Sequence, residues 1–182
     1  MLKNKKLFAT VGLLSVLVLA PISTLAEEKN GSIDIQLDSK VDENDGIGEL
    51  TLGTVIDLSK KFDIDNGIDS AIPLVPTGSI EIIDTRASGQ WQLSVNIAQP
   101  TERGTGADLA ASAITFGITA SDGVTGSSET SILDTSVKVL SSAAARNYTV
   151  AAADVTSNLT LSKSVKGIYQ GTIVYTLVDT VS

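Results

Sequence analysis

The chain has 182 residues, with 21 acidic against 13 basic side chains and neither cysteine nor histidine. Without those two residue types there is no disulfide framework, no lipid-anchoring cysteine, no thiolate nucleophile or thiolate metal site, no Ser-His-Asp catalysis and no use of the commonest zinc ligand. The excess of acid repels phosphate backbones and argues against nucleic acid as a partner.

In chain order, the first expected element is a sorting signal. Lys3, Lys5 and Lys6 precede an apolar run over residues 7–19, Pro21 breaks the helix, and Thr24-Leu25-Ala26 supplies small residues of the kind a signal peptidase reads. Residues 1–26 are therefore expected to be a signal peptide cleaved after Ala26. The apolar run is shorter than the ~20 residues of a membrane span, so the mature chain is expected to be exported and soluble. Cleavage removes three lysines and no acids, leaving 156 residues with a net charge of −11. That length suits a single domain, residues 27–182, with a core of its own.

Apolar alternation at a period of two then recurs along the mature chain, the pattern of strands with one buried face. It is found at Ile33-Ile35-Leu37, Leu50-Leu52, Ile80-Ile82, Ile114-Phe116-Ile118, Val137-Val139 and Leu159-Leu161, each bounded by Gly, Asn, Asp or Ser. Residues 42–48, 66–78, 99–108, 120–130 and 141–147 are expected loops. No long stretch shows a helical period. The expected fold is all-β, an antiparallel β-sandwich or flattened barrel.

Two aromatic strands carry the most information. In the first, Trp91, Leu93, Val95 and Ile97 alternate with Gln92, Ser94 and Asn96. In the second, Tyr169, Ile173, Tyr175 and Leu177 share one face while Gln170, Thr172 and Thr176 share the other. The Trp-x-Leu triplet at Trp91 and Leu93, preceded by Asp84-Thr85-Arg86 and the Gly89 turn, resembles the proximal motif of the WxL domain, a cell-surface module of Gram-positive bacteria. That family's distal motif is matched at Tyr169, Ile173 and Leu177, with Val174, Tyr175 and Val181 standing where the family has Thr, Trp and Pro. The stretch 58–65 also resembles the family's Phe-Asp-Phe-Gly-like strand. The resemblance implies a secreted protein held non-covalently on the cell wall, with peptidoglycan as ligand. It also implies possible partners: a membrane-anchored WxL-interacting protein and other WxL proteins. Residues 177–182 contain neither a sortase motif nor a hydrophobic and basic tail, so no covalent anchor is expected. The alternative is a structural subunit of a surface complex that binds proteins rather than glycan.

Each candidate site has a functional and a structural reading. Trp91 is either a stacking platform for sugar rings or a core anchor, and its place in the apolar alternation favours the core. Asp84 and Arg86, two apart, are expected on the same face of one strand, either as a structural ion pair orienting the turn into Gly89 or as a grip on a ligand carboxylate. Asp63, Asp65, Asn66 and Asp69 around Gly67 invite a calcium reading, but the EF-hand positions for Gly and Glu fall on Ile68 and Leu74, so turn chemistry is the better account. The acidic loop 42–45 fits no better. Glu81, between Ile80 and Ile82, is the best-flanked carboxylate, yet its strand position is expected to face water. No catalytic, cofactor or metal site is expected.

Overall fold

The computed structural model describes residues 30–41, 48–63, 70–163, 165 and 167–180. Its strands are, in order, β1 Asn30–Val41, β2 Leu50–Leu52, β3 Ile56–Asp63, β4 Ala71–Pro73, β5 Val75–Asp84, β6 Trp91–Ile97 and β7 Thr101–Glu102. They continue with β8 Ala111–Ile118, β9 Val124–Gly126, β10 Thr130–Ser131, β11 Val137–Ser142, β12 Tyr148–Ala151, β13 Val155–Leu161 and β14 Gly167–Asp179. The helical content of the described residues is a single 3-10 turn, Ala152–Asp154. None of these residues forms a helix long and apolar enough to cross a membrane.

The fold is an all-β sandwich, and its sheets are built mainly from antiparallel pairs. The larger sheet runs β12-β5-β3-β1-β14-β6-β11-β9, with β2 added beside β5 and β7 beside β14; the smaller runs β10-β8-β13-β4. Because the larger sheet's path ends at β12 and β9 without returning on itself, the architecture is a sandwich and not a barrel.

β5 holds two parts of the large sheet together. Its first half pairs with β3, its second half lies between β2 and β12, and β2 and β3 are successive segments along the same edge. Backbone bonds between Glu81 and residues 53–54 bridge the gap separating them, at 2.8 and 3.0 Å.

Among the described strands the one parallel ladder is at the centre. β1 runs parallel to β14 in unbroken register from Gly31↔Gly167 to Val41↔Leu177. Apolar alternation specifies which face a strand buries but not the direction of its neighbour, so this pairing was not expected from sequence. The loops expected at 66–78, 99–108 and 120–130 contain β4 and the start of β5, β7, and β9 with the first residue of β10. Most of these segments span only two or three residues, too few for a period of two to register.

The core fills the space between the sheets. From the large sheet it takes Ile56, Leu58, Ile80, Ile82, the inward residues of β6 and those of β14; from the small sheet it takes Ile114, Phe116, Ile118, Val155, Leu159 and Leu161. Phe116 and Tyr175 meet across the layers edge to face, with centroids 6.3 Å apart and planes at 78°. Such a contact contributes ~0.5–1.5 kcal/mol beyond the apolar area it buries.

Candidate functional site

β6 and β14, the two strands singled out in the sequence, are antiparallel neighbours. Trp91 stands opposite Asp179, Leu93 opposite Leu177, Val95 opposite Tyr175 and Ile97 opposite Ile173. The inward positions Trp91, Leu93, Ile173, Tyr175 and Leu177 are completely buried, and Tyr169 nearly so. Tyr169 lies beyond β6, where β14 pairs with β7 opposite Glu102. Trp91 is thus a core residue. Its indole nitrogen donates to the Arg146 carbonyl at 3.3 Å, which satisfies the one polar atom that burial takes from water.

Tyr175 stands at the motif position where the resemblance would place tryptophan. Its hydroxyl donates to the Ile56 carbonyl at 2.8 Å, tying β14 to β3. Burial pushes this phenol's pKa up, the Asp57 charge adds to the rise, and the bond to Ile56 opposes it. At Tyr169, burial and then the nearby Glu102 charge raise the phenol in the same sense.

At the Asp179 end of these strands a buried ionic cluster joins the two motifs. Arg86 grips Asp84 with a fork, Nε to Oδ1 at 2.7 Å and Nη2 to Oδ2 at 2.9 Å. Its remaining Nη1 pairs with Asp179 of β14. The side chain of Asp84 is fully buried, and those of Arg86 and Asp179 are each 7% exposed. Asp84 is the last residue of β5, so Arg86 lies in the turn that follows and not on the same strand. The expected same-face geometry is replaced by an Asp-initiated turn. The Arg86 backbone N–H donates to Asp84 Oδ1 at 3.2 Å, and the guanidinium folds back over the same carboxylate.

The turn needs its glycines. Gly89 has φ +144°, and a Cβ there would lie 2.9 Å from the Arg86 guanidinium carbon. Gly48 has φ +108° and would meet the Thr85 carbonyl and Arg86 backbone at 2.7 Å.

A third segment completes the cluster, and sequence reasoning missed it. In the loop between β11 and β12, the Arg146 N–H donates to Asp84 Oδ2 at 3.3 Å, while Asn147 Oδ1 accepts from the Asp84 N–H at 2.7 Å. Residues 146–147 therefore hold Asp84 and Trp91 together. The available signal was a lone Asn leading into a strand, which fits any loop.

The electrostatics follow from this geometry. Burial alone would raise the Asp84 carboxyl, but hydrogen bonds and charge from Arg86, with the Arg146 N–H, outweigh it and leave Asp84 below the ordinary carboxylate value. The bond to Asp84 foremost, and then Asp179, hold Arg86 more firmly protonated than a free arginine. An aspartate fixed as an anion and an arginine already engaged by two carboxylates form a joint, with no group poised for proton transfer. Arg86 spends its fork inside the chain, so the geometry carries the ion-pair reading and leaves the Arg86 guanidinium already engaged, not open to a ligand carboxylate.

Glu81 projects into solvent between buried Ile80 and Ile82. The acidic loops 42–45 and 65–69 lie outside the described residues. Among the described residues no group of three carboxylates converges as a metal site would require. No family model matches the chain, and no curated protein matches it.

Proposed function

We propose that this is a secreted cell-surface protein of the WxL type that binds the Gram-positive cell wall non-covalently through peptidoglycan. The supporting observation is the union of the two motif stretches, which are adjacent strands tied by Asp84, Arg86 and Asp179. The Asp-x-Arg element, the Trp-x-Leu strand and the C-terminal aromatic strand are bonded to one another, as expected if they resemble a family's signature for structural reasons. On this reading the motif residues build the domain and its surface makes the contact. The chemistry on this reading is binding and not turnover, since both carboxylates of the cluster, Asp84 and Asp179, are locked to Arg86.

A second reading, a subunit of a surface complex that engages a membrane-anchored partner or other WxL proteins, is favoured by two exposed large apolar residues, Val75 and Ile168. Co-sedimentation of purified residues 27–182 with sacculi stripped of protein and teichoic acid tests the first reading. Pelleting of the domain alone is the expected result. A domain that stays in the supernatant until a partner protein is added would establish the second.

A further inference from the structure

β1 is the first strand in chain order, yet it lies in the middle of the large sheet. Among the described strands its backbone ladders alone join the β12-β5-β3 part of that sheet to the β14-β6-β11-β9 part. It runs parallel to β14 from Gly31↔Gly167 to Val41↔Leu177, and its apolar positions Ile33, Leu37 and Val41 stand in register with Tyr169, Ile173 and Leu177, all buried. Its ladder with β3 is shorter and ends at Asp34↔Ser59.

The two flanking strands hold their places by bonds that leave β1 out. β3 pairs with β5 from Ile56↔Gly78 to Ser59↔Val75, and β14 pairs with β6 from Ile173↔Ile97 to Asp179↔Trp91. Arg86 fixes Asp179 to the end of β5. Past the end of the β1–β3 ladder, the Tyr175 hydroxyl reaches the Ile56 carbonyl of β3 directly. β1 therefore fills a groove whose two walls are tied to each other by other parts of the chain. Facing strand edges of this kind are a template for an added strand, here one that runs parallel to β14 and antiparallel to β3 with apolar residues in step with Tyr169, Ile173 and Leu177.

We propose that the groove between β3 and β14 takes β1 from a second copy of this chain, so that copies associate by exchanging their first strand. A second copy is the partner that fits, because its β1 offers the same direction, register and apolar positions, and an exchanged pair keeps every β1 contact of the closed chain. The two arrangements differ only in the path of residues 42–49. That link, Asp-Glu-Asn-Asp-Gly-Ile-Gly-Glu, has four carboxylates and two glycines in its sequence. Like charges favour an extended link over a tight return, and eight extended residues reach ~26–29 Å, enough to carry β1 to a neighbour. The acidic run that matched no calcium template thereby gains a role. Exchange requires removal of residues 1–26, part of the secreted reading above, since a strand with a free N-terminal end enters a groove without threading; it does not depend on wall binding.

The chain has no cysteine of its own, so introduced thiols test the exchange. Gln36 and Thr172 stand opposite each other in the β1–β14 ladder, and neighbouring strands ~4.8 Å apart lie within disulfide reach. Two differently tagged forms of residues 27–182, one Gln36→Cys and the other Thr172→Cys, are unfolded together, refolded and oxidised. The expected product is the mixed disulfide between the two forms, about tenfold or more above Gln36→Cys paired with Thr156→Cys on the exposed outer side of β13. Wild type refolded at the same concentration is expected to show the mass of two or more chains by light scattering. Should either variant fail to fold, Asp38→Cys with Val174→Cys repeats the test at another opposed pair. A mixed disulfide no more abundant than the control overturns the inference, as does wild type that stays a single chain at every concentration. A dimer made by packing sheet faces would cross-link Thr172→Cys to itself as readily as to Gln36→Cys, and that result overturns it too. Because sacculi take no part in these measurements, failure of exchange leaves the wall-binding reading standing, and failure of sacculus binding leaves exchange standing.

Discussion

Arg86 illustrates how a single side chain can hold distant parts of the chain in place. Its fork closes on Asp84 while its third nitrogen reaches Asp179 on the last strand. Replacing it with alanine leaves two carboxylates at a buried site, a change that costs about 3–5 kcal/mol where one partner of a buried pair is removed. The expected outcome for Arg86→Ala is a fall of that size in urea-unfolding stability, and Arg86→Lys, which keeps the charge but not the planar fork, recovers only part of it. Trp91→Ala should cost a similar ~3–5 kcal/mol through the cavity it leaves; a variant with wild-type stability that no longer bound wall would return Trp91 to the role of sugar platform. The acid limb of stability follows from Asp84. Its folded pKa lies below the ordinary 3.8, so the stabilisation is complete above that value and is lost as pH falls through the lower folded value. Asp84→Asn is expected to flatten the pH dependence of stability below about pH 4, measured by denaturation across an acid series. Much of this was legible in sequence: the Asp-x-Arg spacing suggested a pair, and Trp91 in step with Leu93 and Val95 suggested the core. Asp179 and Asn147 were not legible, because a carboxylate near the C-terminus and an Asn in a loop acquire meaning only once the fold brings them to Asp84.

Among the elements, the long strands with clean alternation were readable and the pairings were not. β6 buries every second residue from Trp91 to Ile97, and β13 does the same from Val155 to Leu161, because each has one face on the core and one outside. The parallel association of β1 with β14 depends on where two remote segments meet, which no local pattern records. The crossing from β8 in the small sheet to β9 in the large one shows the same limit. It turns at Asp122 and Gly123, both with positive φ, and closes with a 3.0 Å bond from the Val124 N–H to the Ser121 carbonyl. The two strands then pass so closely that a Cβ on Gly126 would lie 2.0 Å from the Ile118 carbonyl oxygen. Gly126→Ala must push the layers apart, and overpacking of this kind costs about 1–3 kcal/mol or more. A lower urea midpoint at unchanged slope is the expected observation; an unchanged midpoint would mean that the crossing is looser than this packing implies.

As a whole the molecule is an acidic sandwich in which Trp91, Leu93, Ile173, Tyr175 and Leu177 face inward, so under the proposed wall-binding function any adhesion comes from other residues, on the surface. The mature charge of −11 follows from the sequence if the first 26 residues are removed, and it opposes approach to a wall that carries anionic polymers. Long-range repulsion of this kind is screened over ~8–10 Å at physiological salt, whereas short-range contacts between neutral groups are not. The purified domain is also expected to release no reducing sugar or peptide from sacculi, with or without divalent metal ions, because the Asp84 cluster lacks a group poised to transfer a proton. The most direct test of surface binding by local contact is a titration of labelled residues 27–182 against whole sacculi from low to physiological salt. The account predicts that affinity holds or rises with salt, and rises further when wall teichoic acid is removed. A steep loss of binding with added salt would show that attraction to a cationic partner or a bridging divalent ion holds the protein, and would contradict it.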